Sequence, residues 1–406
     1  MTYIEFFDRN SIENICSSLV GDPERVILVG GNRKILQKYA EIYREVLSEK
    51  GKNVEFLCRS VNRNSLESTV KVFSEIVESY ENCIFDLSGG DEIYLAASGI
   101  VCERYKEKCI SLHRFNMKSG NVTEYDCDGA DVHKGILPEL TVEENIRIYG
   151  GRVINADSSY SSANISTSFA EDIDDMWDIC KKDVKAWNAQ VNFFEALESK
   201  KRMGTEPLTV SVSENALSSI TKKYYNREII KDLVEKGLLK SFYEKYGGLE
   251  IVYKNADVKK ALTKAGLALE LKITLVASRC TEKGNKLYGD VKNGVQIDWD
   301  GKSSDDGYDT ENEIDVMMMR GAVPVFVSCK NGFVEIDELY KLSSVALRFG
   351  GRYAKKVLVA TALDKSGETA HYFRQRANDM NILLIENIQS MSENELIKVI
   401  SGIVKA

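Results

Sequence analysis

Histidine is nearly missing from this 406-residue chain, which has three, at positions 113, 133 and 371. A metal centre built on several imidazoles therefore has almost no material to draw on. Proline is as scarce, at 4, in a composition 43% hydrophobic and 29% charged, which is that of a globular chain. No run of about 18 apolar residues exists, so no membrane-spanning helix is expected. The start, MTYIEFFDRNS, has neither the basic opening nor the apolar core of a signal peptide, which points to the cytoplasm. Nine cysteines (16, 58, 83, 102, 109, 127, 180, 280 and 329) are present, but none forms a CxxC pair. They read as reduced core residues rather than as disulfides or zinc ligands. Neither GxGxxG nor GxxxxGK[ST] occurs, so a dinucleotide cofactor and ATP hydrolysis lack support. A net charge of −8 argues against coating nucleic acid in bulk. It leaves room for a local groove: residues 341–376 hold eight Lys/Arg against Asp364 and Glu368. On charge alone that run is more simply an ordinary solvated helix face.

What is present implies two or three domains. Over the first 130 residues short apolar strands (2–10, 25–31, 53–59, 82–87 and 108–115) alternate with helices (11–20, 32–50, 64–80 and 92–106). A hairpin partner follows at 121–125. This alternation is the signature of an α/β, doubly wound, Rossmann-like sheet. Ligands bind such sheets beyond the carboxyl ends of the strands. Three polar loops fall there: Asp8-Arg9-Asn10-Ser11, Gly30-Gly31-Asn32-Arg33 and Ser88-Gly89-Gly90-Asp91-Glu92. Glycines and helix starts suit a phosphate, but paired glycines serve tight turns just as often.

Residues 138–168 change character and end in a Ser/Asn-rich, linker-like stretch, NADSSYSSANISTS. Helices are expected at 169–200, 213–222 and 225–236, then strands at 238–244 and 248–253. Helix-helix-hairpin is a winged-helix order, in which Lys222, Lys223 and Arg227 could touch phosphates; such modules also act as spacers or dimer parts. From 257 the order becomes α-β-β-β-α-β-α-β. Its first helix, 257–277, carries Glu270 in an apolar stretch, and Asp298 lies on a strand at 286–300.

Within this last part, ENEIDVMMMRGAVPVFVSCK (311–330) predicts a β-hairpin of strands 312–319 and 323–330. With Gly321-Ala322 as a two-residue turn, Asp315 lies opposite Ser328 and Glu313 opposite Lys330. Carboxylates and a lysine then meet at the end of an apolar sheet, which is costly unless they are paired or hold a metal. One reading is a Mg2+ or Mn2+ site for phosphodiester cleavage: Asp315 and Glu270 as ligands, the Cys329 carbonyl as a further oxygen, and Lys330 as the positive partner. The other is a plain Glu313–Lys330 ion pair.

ENEIDVMMMRGAVPVFVSCKNG resembles the core of PD-(D/E)xK, restriction-endonuclease-like nucleases. The triplet here is Ser328-Cys329-Lys330, so the pattern's second acid is absent and the weight falls on Glu270. Together with FDLSGGDE (85–92) and LTVEENIRIYGG (140–151), the chain resembles type III CRISPR ancillary nucleases. That resemblance implies a CARF (CRISPR-associated Rossmann-fold) domain at 1–137, helices and a winged-helix-like region at 138–256, and a restriction-endonuclease-like α/β nuclease domain at 257–406. It implies a homodimer whose three N-terminal loops bind a cyclic oligoadenylate, most often cyclic tetra-adenylate. Binding would activate metal-dependent cleavage of DNA and/or RNA by Glu270, Asp315 and Lys330. Relatives often carry a basic residue where this chain has Asp91-Glu92. Two rival readings are a ligand-responsive winged-helix regulator with a relic nuclease domain, and a nuclease that degrades the cyclic nucleotide itself.

Overall fold

The computed structural model describes residues 1–108, 110–117, 119–125, 130–133, 137–155, 160–220, 225–245, 247–301, 311–363 and 367–404. Its first sheet has seven strands. Strands β1 (Thr2–Phe6), β2 (Arg25–Gly30), β3 (Glu55–Ser60), β4 (Cys83–Asp86) and β5 (Ser111–Phe115) run parallel, and β6 (Val122–Tyr125) and β7 (Ala130–His133) fold back antiparallel. The order is β3-β2-β1-β4-β5-β6-β7, so the chain winds one way from β1 and then returns to its other side at β4. Val26 and Leu28 face one apolar layer while Ile27 and Val29 face the other, as the period of two requires. Helices α1 (Cys16–Val20) and α2 (Arg33–Glu49) cover the first face; α3 (Leu66–Ser79) and α4 (Glu92–Arg104) cover the second.

Two expectations here are corrected. The strand predicted to residue 10 stops at Phe6, and the helix predicted from 11 is a 3-10 turn, Ser11–Asn14, followed by the short α1. Local side chains bid for the backbone: Asn14 Oδ1 accepts from Asp8 N–H at 2.7 Å, and Asp8 Oδ1 accepts from Asn10 N–H at 2.7 Å. Such bonds compete with both strand and helix.

The middle segment contains α5 (Val142–Ile148), β8 (Arg152–Val153), α6 (Thr167–Cys180), α7 (Val184–Glu198), β9 (Thr209–Val212), α8 (Glu214–Ser218), α9 (Arg227–Glu235), β10 (Leu239–Lys245) and β11 (Gly248–Tyr253). Strand β9, absent from the sequence reading, pairs with β11 and completes a three-stranded sheet. Lys222 and Lys223 lie outside the described residues; Arg227 opens α9, which carries four other charged residues, Glu228, Lys231, Asp232 and Glu235. Strand β8, just before the linker-like stretch, joins the edge of the C-terminal sheet through Val153 opposite Ile297.

The C-terminal part holds α10 (Ala256–Thr263), α11 (Leu267–Arg279), β12 (Thr281–Glu282), β13 (Asn285–Lys286), β14 (Asp290–Asp298), β15 (Glu311–Arg320), β16 (Val323–Lys330), α12 (Asp337–Gly350), β17 (Lys355–Ala360), α13 (Gly367–Asp379), β18 (Ile382–Ile385) and α14 (Glu393–Gly402). The single helix predicted over 257–277 is two, because Gly266 takes a left-handed φ of +83° that helix does not allow. The large sheet runs β18-β17-β16-β15-β14-β8, with α11 and α14 on one face and α12 and α13 on the other. The α12 face belongs to the apolar cluster that also includes α2 and α5, so the two sheets share one continuous core. Among the described residues no helix is long and apolar enough to cross a membrane.

Candidate functional site

The hairpin closes in the register read from its turn: Arg320 pairs with Val323 and Val316 with Val327. Asp315 is the exception within it. Strand β15 pairs with β14 from Glu311 to Ile314 and again from Val316 to Met319, and with β16 only from Val316 onward, so Asp315 sits in neither ladder. Opposite it on β14 the register skips Gly294, which holds a φ of +59°. The interruption also resets the alternation, since Ile314 packs with Met317 and Met319 rather than with Val316 and Met318. Irregularities of this kind re-aim a side chain out of the pleat.

The freed carboxylate turns to the end of β16. Asp315 Oδ2 accepts from Cys329 N–H at 2.6 Å and from Ser328 Oγ at 3.2 Å. Lys330 Nζ lies 3.8 Å from the same oxygen and 2.9 Å from Glu338 Oε2, at the start of α12. Glu270, on the first turn of α11, is only 6% exposed. Asn293 binds the two acids together: its Nδ2 donates to Glu270 Oε2 and to the Asp315 carbonyl, both at 3.0 Å. Burial, and then the neighbouring Asp315 charge, push the Glu270 carboxyl up to about 7. Burial also raises Asp315, against the opposing pull of Lys330 and the Cys329 N–H.

The pair expected between Glu313 and Lys330 does not form. Glu313 instead receives Lys264 Nζ at 2.8 Å, from the turn between α10 and α11. The break at Gly266 brings Lys264 back over the hairpin, a placement no unbroken helix would give. Lys264, Asn293 and Glu338 were missed in the sequence; of these only Asn293 left a signal, a polar residue between Val291 and Val295 on a buried strand. Among the described residues no three His, Cys, Asp or Glu side chains converge as a ready-made metal cluster.

The three N-terminal loops leave β1, β2 and β4, adjacent strands, at their carboxyl ends. Two of them are stitched together: Gly90 N–H donates to Asp8 Oδ2 at 3.2 Å. Gly90 needs to be glycine, since its φ is +95° and a Cβ there would stand 2.5 Å from that of Phe6. Ser88 Oγ accepts from Phe115 N–H, and Asn32 caps α2 through Lys34 and Ile35 N–H. Gly31, Asn32, Arg33, Arg9 and Glu92 are exposed. Gly30 and Gly89 are walled by Leu36 and Asp8 respectively. Two of the expected pocket residues point elsewhere: Ser11 is buried, and Asn10 Oδ1 accepts from Arg352 N–H at 3.2 Å. Asp91 is met by Arg63 at 2.8 Å, from the loop after β3. A cavity of about 1170 Å3 lies at the other end of the C-terminal sheet, beside the hairpin turn and away from the acid cluster; Gly351, Arg352 and Tyr353 on its wall reach Asn10 and Glu13.

No protein-family model matches the chain, and no curated protein matches its sequence. Two solved structures share its fold over nearly the whole length. Protein VC1899 from Vibrio cholerae superposes with a TM-score of 0.72 at 17% identity, covering 100% of this chain and 97% of its own. Can2 from Sulfobacillus thermosulfidooxidans, solved in complex with cyclic tetra-adenylate, gives 0.67 at 17% identity, covering 98% and 99%. The chain is thus a mixed α/β protein with the architecture of these two.

Proposed function

We propose that the chain is a homodimeric endonuclease of type III CRISPR defence, activated by a cyclic oligoadenylate such as cyclic tetra-adenylate and dependent on Mg2+ or Mn2+. In this reading residues 1–137 bind the activator, 138–256 space the ends, and 257–406 cut DNA and/or RNA. The observation that carries it is Asp315, lifted out of both ladders and set between a desolvated Glu270 and Lys330. The shared architecture with a protein that binds cyclic tetra-adenylate supports the N-terminal half.

The acids fit a hard divalent cation. Both are raised by burial, and Oδ1 of Asp315 and Oε1 of Glu270 have no hydrogen bond among the described residues. Cys329 N–H points at Asp315, and in an extended strand a residue's carbonyl points the same way, adding an oxygen. One or two carboxylates with water and substrate phosphate are the usual company of Mg2+. Such an ion, when bound, polarises the phosphate and the attacking water. The chain's own residues do the rest. Asn293 fixes the separation of the acids, and Ser328 and Cys329 lock the Asp315 rotamer. Lys330, with a side chain 28% exposed, meets charge developing on the scissile phosphate. A cyclic ligand suits a two-fold pocket because both subunits offer the same loops.

The test is cleavage of a labelled oligonucleotide by wild type, Asp315→Ala and Ser328→Asp, with activator and Mn2+. Loss in Asp315→Ala with intact activator binding is expected. A regulator with a relic nuclease domain, favoured by the serine at 328, would instead bind a specific duplex without metal and cut nothing.

A further inference from the structure

Helix α12 touches both sites at once. At its first turn Glu338 holds Lys330 at 2.9 Å, nearer than Asp315 does at 3.8 Å, and Lys341 closes on Glu338 at 3.0 Å. At its far end the chain turns at Gly351, with φ of +54°, directly against Asn10 Oδ1. Arg352 and Tyr353 then bind Glu13, the hydroxyl of Tyr353 at 2.5 Å. Glu13 is 2% exposed and lies in the turn that follows Asp8, whose carboxylate holds Gly90 of the β4 loop. Neighbouring groups keep α12 from sliding independently: Asn145 Nδ2 donates to the Phe349 carbonyl at 2.7 Å, and Arg348 Nη2 donates to that of Trp299 at 3.2 Å. A helix of 14 residues spans roughly 21 Å. One rigid element therefore joins the loop Asp8–Asn14 to the lysine of the acid cluster.

We propose that Glu338 is a positioning residue that holds Lys330 off Asp315, and that the loop Asp8–Asn14 sets its place through α12. This rests on the reading of the chain as an activator-switched nuclease. Ligand at the Asp8–Gly90 seam shifts the turn at Glu13, the Arg352–Tyr353 anchor follows, and Glu338 gives up Lys330. A ligand can shift such an equilibrium only by its differential contact with the two states, and the Asp8–Gly90 seam provides that contact while Glu13 passes it to Arg352 and Tyr353.

The experiment uses the full chain with cyclic tetra-adenylate as probe. Activator binding is measured by calorimetry, cleavage is measured with and without activator, and hydrogen exchange is followed over 330–353. Wild type should show altered exchange at 337–353 on binding. Glu338→Gln should raise activator-independent cleavage at least about tenfold, and Glu338→Asp should lie between it and wild type. Glu13→Gln should bind activator but lose the exchange change and at least about tenfold of the activated-to-basal ratio. No activator binding overturns the nuclease reading and this inference with it. Binding and activated cleavage with unchanged exchange at 337–353, or with Glu338→Gln unaltered or less active, overturn the inference alone.

Discussion

Two buried acid pairs in this molecule invite comparison. Glu5 and Asp86 lie side by side in register on β1 and β4; Glu270 and Asp315 meet between α11 and β15. Burial raises all four carboxyls. The first pair has no cation at its border: Ser18 Oγ donates to Glu5 Oε1 at 3.4 Å, Ser88 N–H donates to Asp86 Oδ1 at 2.7 Å, and Asp86 Oδ2 is buried without a hydrogen bond. The second pair is bridged by Asn293 from the side, has Lys264 and Lys330 at its border, and leaves one oxygen of each acid without a hydrogen bond among the described residues. A raised carboxyl is therefore no signature of a metal site. Nor is an oxygen without a hydrogen bond; half-exposed cations beside the acids are the better sign.

The largest effect should separate the pairs by activity. Asp315→Ala or Lys330→Ala should cut activated cleavage about 100-fold or more while activator affinity stays within about twofold. Glu5→Gln should leave cleavage near wild type.

Stability should separate them by metal response. The Glu270 carboxyl at about 7 lies above its ordinary 4.5, so the folded state holds the proton longer, and wild type loses stability as pH rises from 4.5 through 7. Metal-free Glu270→Gln should thus be more stable at pH 8 by up to about 3 kcal/mol, a gap that closes toward pH 4.5. Thermal melts should show Mn2+ stabilising wild type but not Glu270→Gln. Glu5→Gln should also stabilise at neutral pH, in the same direction, but with or without Mn2+ alike.

Smaller effects follow for the scaffolds. Gly90→Val, forced to a φ of +95° against Phe6, should cost about 1–3 kcal/mol and weaken activator binding, read by melts and calorimetry. Glu313→Gln, losing a half-exposed pair with Lys264, should cost under about 1 kcal/mol.

The sequence carried the hairpin register well, because a two-residue turn fixes every later pair, and Asp315 does meet the end of β16 as that register demands. It carried the parallel N-terminal sheet through its apolar runs. It did not carry Glu5: a strand buried on both faces hides a carboxyl among apolar neighbours with no periodic trace. Nor did it carry the exchange of partners around Lys330. That exchange depends on one left-handed residue, Gly266, and on where a helix beginning 7 residues after Lys330 places its first turn, both of which are set by tertiary packing. Arg63 was missed for the same reason, since its partner Asp91 sits 28 residues away.

The central claim is tested most directly by incubating the full chain with plasmid, single-stranded DNA and RNA, with and without cyclic tetra-adenylate and Mn2+. Cleavage of at least one substrate only when both are present, and its absence in Asp315→Ala, is the predicted result. No cleavage under any combination, or cleavage that survives in Asp315→Ala, would contradict it.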